Sequence, residues 1–504
     1  MLAQAKKKIE ALLGVERVMA DPANQFLYSR DMMTKTTLEM KAGMTPHFPD
    51  MIVWPETTKE VSRVVRIAHE CHVPVIPYGG GSGVSGGTLP LSGGIIVDLK
   101  RMNRIGKIRH DPQNAEALSV VADVGVVGQN FENHLNEQGV TLGHFPSSIL
   151  CATLGGYLAA RSAGQLSSKY GKIEDLVEDI EVVLPTGEVI SFGGTVPGLP
   201  HVRPIDLFVG SEGCLGIITQ ARFRLSSLPP TTVYRGLSFS TLKKGLTAVR
   251  LIMQSGLRPA VIRLYDEMDS ILLSHGYKKK AGGGFKLPES FDRAFHQWIF
   301  QYPAFLQKMA VSLSSKVLLV MAFEGEKEFA RAQEIEALEI CKKIRFKDLG
   351  EAPGLHWLKH RYSVSFKMTK IFEQDGFVDT IEVAATWSQL DDLYKKMHRV
   401  LSQKILLLAH FSHAYHEGCS IYFTFIGRTG NVNDDRRLYA EVWHEAMETC
   451  LAAGGTISHH HGIGILKAPY MQRELGHGMD FYRRIKKTLD PRNIMNPGKM
   501  GLPG

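Results

Sequence analysis

The chain is 504 residues long, 44% apolar and 22% charged, which excludes a disordered or fibrous protein and supplies cores for roughly two to four domains. Its longest apolar runs, 317–323 and 405–409, are too short for a membrane span. The net charge of +8 favours anionic partners, whether phosphorylated substrates or an acidic membrane surface; without a basic stripe and interleaved aromatics, nucleic acid is not expected.

In chain order, residues 1–21 read as an amphipathic helix and not as a secretory leader. Residues 58–71 (TKEVSRVVRIAHEC) have helical apolar spacing; a short strand at 73–76, a glycine cluster and a strand at 94–99 follow. Segments 116–125, 181–190 and 216–225 read as strands, and 143–171 is rich in small and turn residues. This α+β half closes near Pro229 and Pro230. Beyond it come helices at 241–255 and 328–344, a strand at 317–324, and a stretch at 276–300 that reads as a surface loop. The expected organisation is an N-terminal helical segment (1–47), a first domain (48–230), a second (231–450) and a C-terminal stretch (451–504) that returns to the first. Six single cysteines with no CxxC pair fit a reducing, cytoplasmic setting, with the inner membrane surface left open.

The strongest local signal is PYGGGSGVSGG at 77–87. Glycines admit positive φ and bring bare N–H groups against an anion. Residues 81–86 match GxGxxG, but TLPLSGG and then a strand follow, so no helix starts there and a Rossmann site is not expected. A pyrophosphate cradle of loop amides and a purely structural turn remain. GHFPSSILCATLGG at 143–156 and SAGQLSSKYG at 162–171 are dense enough in small residues to admit a flat ring system, with Ser148, Thr153 and Ser162 offering hydrogen bonds. A third loop, GSEGCLGII, spans 210–218. In the second half, SHHHGIG at 458–464 places three adjacent histidines on a turn, where they cannot all point one way. Strand alternation puts Ser420, Tyr422 and Thr424 on one face. His410, His413 and His416, three apart, are an alternative zinc set.

These motifs, with LDPRNIMNPGK at 489–499, resemble in their order the vanillyl-alcohol-oxidase, or FAD-linked oxidase, superfamily over nearly the whole chain. The resemblance implies an α+β protein: a PCMH-type FAD-binding domain of two α/β subdomains plus an α+β cap domain. It implies non-covalent FAD held by Pro77, Tyr78, Gly79, Gly80, Gly81, Ser82, Gly83 and Val84; by Pro146, Ser147, Ser148, Ala152, Thr153, Gly155, Gly156, Ala160, Ser162, Ala163 and Tyr170; and by Glu212, Gly213, Gly216, Ile217, Ile218 and Asn496.

Two branches of that superfamily differ at the reaction site. D-2-hydroxy acid dehydrogenases carry a metal set of histidines and a Glu-His-Gly; here Tyr422 stands for the second histidine and His460 for the glutamate, so no bound metal is expected. The alkylglycerone-phosphate synthase branch is similar in SHHHG, GCSIYF, PAVIRL (259–264) and KIEDLV (172–177). By that resemblance Tyr422 is the acid–base residue, with a pKa lowered beside a cationic histidine, His459, His460 and His461 line a head-group pocket, and Arg263 and His144 face the same cavity. The pattern departs at Ser147, where that branch has Asp, and in the cap, where Lys367 or Lys370 replaces an arginine. Arg361 and Thr380 complete the expected substrate set. The resulting expectation is an enzyme exchanging acyl for alkyl on a glycerone phosphate; the alternatives are a D-2-hydroxy acid dehydrogenase and a flavin subunit of an electron-transfer complex. The expected partner is an anionic small molecule or lipid, with peripheral membrane contact and a homodimer left open.

Overall fold

The computed structural model describes every residue except 45–46, 111–116, 195–202, 272–315 and 364–368, so the loop expected at 276–300 and Lys367 lie outside the described residues. The chain divides into two units: one of Met1–Gly164, Gly171–Leu228 and His460–Gly504, the other of Gln165–Tyr170 and Pro229–His459. The second unit thus runs past the boundary expected at 450 and takes in six residues of the SAGQLSSKYG motif.

The first unit holds two sheets. In the smaller, the strands run in the order Val18–Met19, Met51–Val53, Ile95–Asp98 and Val75–Tyr78, the last three parallel. Buried on both faces, these strands read as apolar runs broken only at Asp98: Met51, Val53, Val75, Ile95 and Val97 join the main core, while Ile52, Ile76 and Ile96 form a small one under Tyr28, Trp54 and Tyr78. Helix Thr58–Cys71 makes the crossover, capped by the Thr57 side chain accepting from Glu60 N, with Val61, Val64, Val65 and Ala68 buried. The larger sheet is antiparallel, ordered Arg109–His110, Leu118–Asp123, Ile217–Ser227, Val177–Val183, Val189–Gly193, with Val140–Thr141 beside Ile217–Ser227. The single strand expected at 181–190 is two strands joined by a tight turn. Pro185 and Gly187 (φ 83°) reverse the chain, and Leu184 pairs with Glu188. The C-terminal stretch re-enters this unit beside Val75, which exchanges hydrogen bonds with Ile494 and Asn496.

The second unit is built on a seven-stranded antiparallel sheet. Its order is Lys347–Asp348, Thr231–Phe239, Val317–Gly325, Val261–Tyr265, Leu406–Ala414, Gly418–Gly427, Phe377–Thr386. On Gly418–Gly427, Ile421, Phe423 and Phe425 are fully buried, Phe423 stacking on Tyr394 and Phe425 meeting Trp443 and Tyr439 of the covering helices Leu390–Leu401 and Val432–Ala452. The alternation leaves Ser420, Tyr422 and Thr424 on the opposite face, as the period of two requires.

Candidate active site

In the first unit, strand Val75–Tyr78 runs straight into the glycine loop, and no helix follows it before Ile95–Asp98. The loop lies flush on the second small-residue segment. A Cβ on Gly79 would meet Thr153 Oγ1 at 2.3 Å, and one on Gly80 would meet Cys151 O at 2.1 Å. Gly81 and Gly86 take φ of 61° and 80°. Among the described residues no acceptor meets the backbone N–H groups of 79–84, although all but Gly83 of these residues are partly buried. A row of shielded amides without acceptors is what an anionic group would satisfy. Lys100 Nζ lies 3.0 Å from Gly79 O and 5.0 Å from the centre of the Tyr78 ring, its charge paired with the buried Asp98 at 2.6 Å.

Asn496, itself at φ 41°, ties this loop to the third one: its Nδ2 donates to Gly87 O at 2.9 Å and to Glu212 O at 2.7 Å. The Glu212 carboxylate accepts the N–H groups of Ile463 and Gly464, pinning the turn that carries His460 and His461. Those two rings sit 4.7 Å apart at 76°. His144 is 1% exposed; its Nε2 meets Ser162 Oγ at 2.8 Å and its Nδ1 has no hydrogen-bond partner among the described residues. Burial pulls its pKa down to about 3, so it stands neutral. Glu132 braces the approach to it, accepting the Thr141 hydroxyl at 2.8 Å and Gly143 N–H at 3.1 Å; burial pushes that carboxyl up to about 7.

In the second unit, Tyr422 is held from two sides. The His410 ring stacks on it at 4.7 Å and 16°, and its hydroxyl lies 3.1 Å from His413 Nε2. Arg263 Nη2 approaches His410 Nε2 at 2.6 Å. A guanidinium can only donate, so that nitrogen accepts and His410 carries its proton on Nδ1, toward Asp269 at 3.4 Å. Burial and then Arg263 lower the His410 pKa to about 4, in keeping with a neutral ring. His413 Nδ1 meets Ser167 Oγ at 2.8 Å, and Ser167 Oγ meets Tyr415 OH at 3.2 Å. His413 sits at φ 52° in a bulge of its strand, a backbone state that costs energy outside glycine and aims its ring at both partners. Glu382 pairs with Tyr422 across the sheet, is fully buried, and accepts His459 N–H at 3.0 and 3.1 Å. Burial, reinforced by Glu382, pushes the Tyr422 hydroxyl well above its ordinary 10; Arg263 opposes this without reversing it. The lowered pKa expected from the sequence is therefore corrected: Tyr422 holds its proton.

Residues 49–193 match the family described as FAD binding domain, and 228–500 match FAD linked oxidases, C-terminal domain. The chain belongs to the FAD-linked oxidases. An alkyldihydroxyacetonephosphate synthase of Trypanosoma brucei brucei is 30% identical over 92% of this chain and 74% of its own length. A mitochondrial cytochrome-linked D-lactate dehydrogenase of Arabidopsis thaliana is 28% identical over 90% of this chain and 74% of its own. A solved alkyldihydroxyacetonephosphate synthase structure superposes with a TM-score of 0.76 at 28% identity, covering 98% of this chain and 84% of that one. This FAD-linked oxidase is a flavoenzyme with FAD as its cofactor, and its fold is the α+β, PCMH-type one that the glycine motifs implied.

The acceptor-free amides of 79–84, close against Thr153, fit the FAD pyrophosphate. Some expected cofactor residues also have packing reasons. A Cβ on Gly155 would strike Val124, one on Gly216 would strike Val182, and one on Gly213 (φ 74°) would strike Pro77. Ser162 is engaged by His144. Tyr170 belongs to the second unit, where its hydroxyl donates to Glu324 at 2.8 Å. The unit boundary falls between His459 and His460, so the triplet is divided. The zinc set does not converge: His410 takes Arg263, His413 takes Tyr422, and His416 is 70% exposed beside Glu417. Among the expected substrate residues, Thr380 Oγ1 lies 3.3 Å from Thr424 Oγ1, the Arg361 guanidinium covers the Tyr362 and Trp357 rings, and Lys370 is exposed. Sequence reasoning missed Glu382 and Ser167, and gave His410 and His413 only a metal role. On a regular strand a spacing of three puts two side chains on opposite faces, and it is the bulge at His413 that brings its ring to the Tyr422 hydroxyl.

Proposed function

We propose that this FAD-linked oxidase exchanges the acyl group of an acyl-glycerone phosphate for an alkyl group from a fatty alcohol. The carboxylic acid leaves, the alkoxy group takes its place on the same carbon, and no electrons are gained or lost overall. Bound FAD would supply the reversible covalent and electron-accepting capacity that protein side chains lack. The observation that carries the reading is the Tyr422 hydroxyl 3.1 Å from His413 Nε2, at a strand position where a hydroxy acid dehydrogenase would carry a metal-ligating histidine.

Tyr422 would move the substrate's α-proton. Neutral at rest, it can accept that proton only as it gives its own to His413 Nε2, leaving an imidazolium whose Nδ1–H donates to Ser167 Oγ. The buried Arg263 Nε, with no partner among the described residues, is a donor in reserve for an anionic head group. His144, His459, His460 and His461 are the further head-group residues of this reading, with Arg361, Lys370 and Thr380 as weaker ones. The net charge of +8 suits an anionic substrate, and its chains are a reason to test for peripheral membrane contact.

A second reading, oxidation of a D-2-hydroxy acid, is favoured by the similarity to D-lactate dehydrogenase. Anaerobic mixing separates the two. Acyl-glycerone phosphate with a long-chain alcohol should release one acid for each alkyl product and leave the flavin oxidised, while D-lactate and D-2-hydroxyglutarate should not bleach it. Lasting bleaching by either hydroxy acid, with no exchange product, overturns the proposal.

A further inference from the structure

We infer that the N-terminal segment 28–33, which precedes the region matched to the FAD-binding family, is a working part of the FAD site, with Asp31 as its positioning residue. The inference rests on FAD as the cofactor and on contacts within the first unit alone.

A loop of six residues rich in glycine is a poor anion site unless something fixes its amides, because glycine gains the most entropy when released. Here the fixing is done through the carbonyls. Gly79 O accepts from Lys100 Nζ at 3.0 Å, Gly83 O from Met32 N at 2.9 Å, Ser85 O from Ile465 N at 2.9 Å, and Gly87 O from Asn496 Nδ2 at 2.9 Å. A planar trans peptide points its N–H opposite its C=O. Each carbonyl tied to the protein therefore turns the next amide away from it: Gly80 after Gly79, Val84 after Gly83. Both of those amides belong to the row without acceptors. After Ser85 the next amide is Gly86 N–H, and it is removed from the row by donating to Asp31 Oδ2 at 2.9 Å. That bond interrupts the row at Gly86 and holds the loop to the N-terminal segment there.

Asp31 is 5% exposed and spends its other oxygen on Met33 N–H at 3.0 Å, which shapes the turn that delivers Met32 N to Gly83. Met32 itself is 67% exposed, so its contribution is its backbone and not its side chain. Tyr28 anchors the start of the segment, its hydroxyl on Asp98 and its ring 4.8 Å from Tyr78. Burial pushes the Asp31 carboxyl up to about 7; its bonds from Met33 N–H and Gly86 N–H and, to the smallest extent, the buried Lys499, which donates to Leu89 O at 2.7 Å, oppose that rise.

The test uses the full chain stripped of FAD and titrated with FAD, with affinity read from flavin fluorescence below the melting temperature of each apo-protein. Asp31→Ala loses both bonds and should bind FAD about ten- to hundredfold more weakly. Asp31→Asn, the same size with one acceptor, should fall between it and the parent. If Asp31→Ala does not fold, Asp31→Asn decides. A role confined to fold stability would lower the apo melting temperature and leave the FAD dissociation constant of Asp31→Asn unchanged, and that result overturns the inference. A parent protein that takes up no FAD would instead refute the cofactor, which is a distinct failure.

Discussion

The glycine loop and the strand face around Tyr422 both present polar groups to a ligand, but one is made of backbone and the other of side chains. The loop's amides are oriented by carbonyl anchors within the first unit, and its residues are glycines because Cβ atoms would strike Thr153 and Cys151. The Tyr422 face depends on His410, His413, Arg263, Glu382 and Ser167, drawn from four separate stretches of the second unit. A backbone site leaves a compositional trace, whereas a side-chain network can be assembled from residues with no local pattern. The two should also fail differently, the first through cofactor affinity and the second through proton movement.

The largest expected effect tests that separation. Tyr422→Phe keeps the ring stacked on His410 and removes one oxygen, so FAD content should stay at the parent level while exchange turnover falls by roughly two to four orders of magnitude. Loss of FAD together with activity would mean that the two regions are not independent.

Glu132 sharpens the backbone side of the comparison. Its folded pKa, about 7, stands above the ordinary 4.5, so the folded state binds the extra proton more tightly. Stability contributed by this group is present below pH 4.5 and lost as pH rises through 7, by about 1–3 kcal/mol. Thermal melts across that window should show a downward slope with pH, and Glu132→Gln should flatten it. An unchanged slope would remove Glu132 as the source.

The pattern of what the sequence disclosed follows the same division. PYGGGSGVSGG could be read as an anion cradle because glycine takes the φ of 61° and 80° found at Gly81 and Gly86 without strain and lets Gly80 lie against Cys151 O. Ser420, Tyr422 and Thr424 could be placed on one face from period two alone. The direction of the Tyr422 pKa could not, because Glu382 lies forty residues upstream and reaches it only through strand pairing. Ser167 lay inside a motif read as flavin-binding, and nothing local ties it to His413. The turn at 184–188 is legible from Pro185 and Gly187, not from the apolar content of the segment.

The smallest expected effect concerns the zinc alternative. His416 is 70% exposed and turned toward Glu417, so His416→Ala should change stability by less than about 0.5 kcal/mol and leave turnover untouched by a chelator. Stoichiometric metal lost on that substitution would restore a metal role to this strand.

The relay itself is tested most directly by a double-mutant cycle on turnover, using Tyr422→Phe and His413→Asn, since asparagine tolerates the φ of 52° that residue 413 requires. If the tyrosine gives up its proton only through that imidazole, either change alone disables the step, and the double variant should be no slower than the slower single one. If the two losses multiply, the residues act independently, and the proton path from Tyr422 to His413 is wrong.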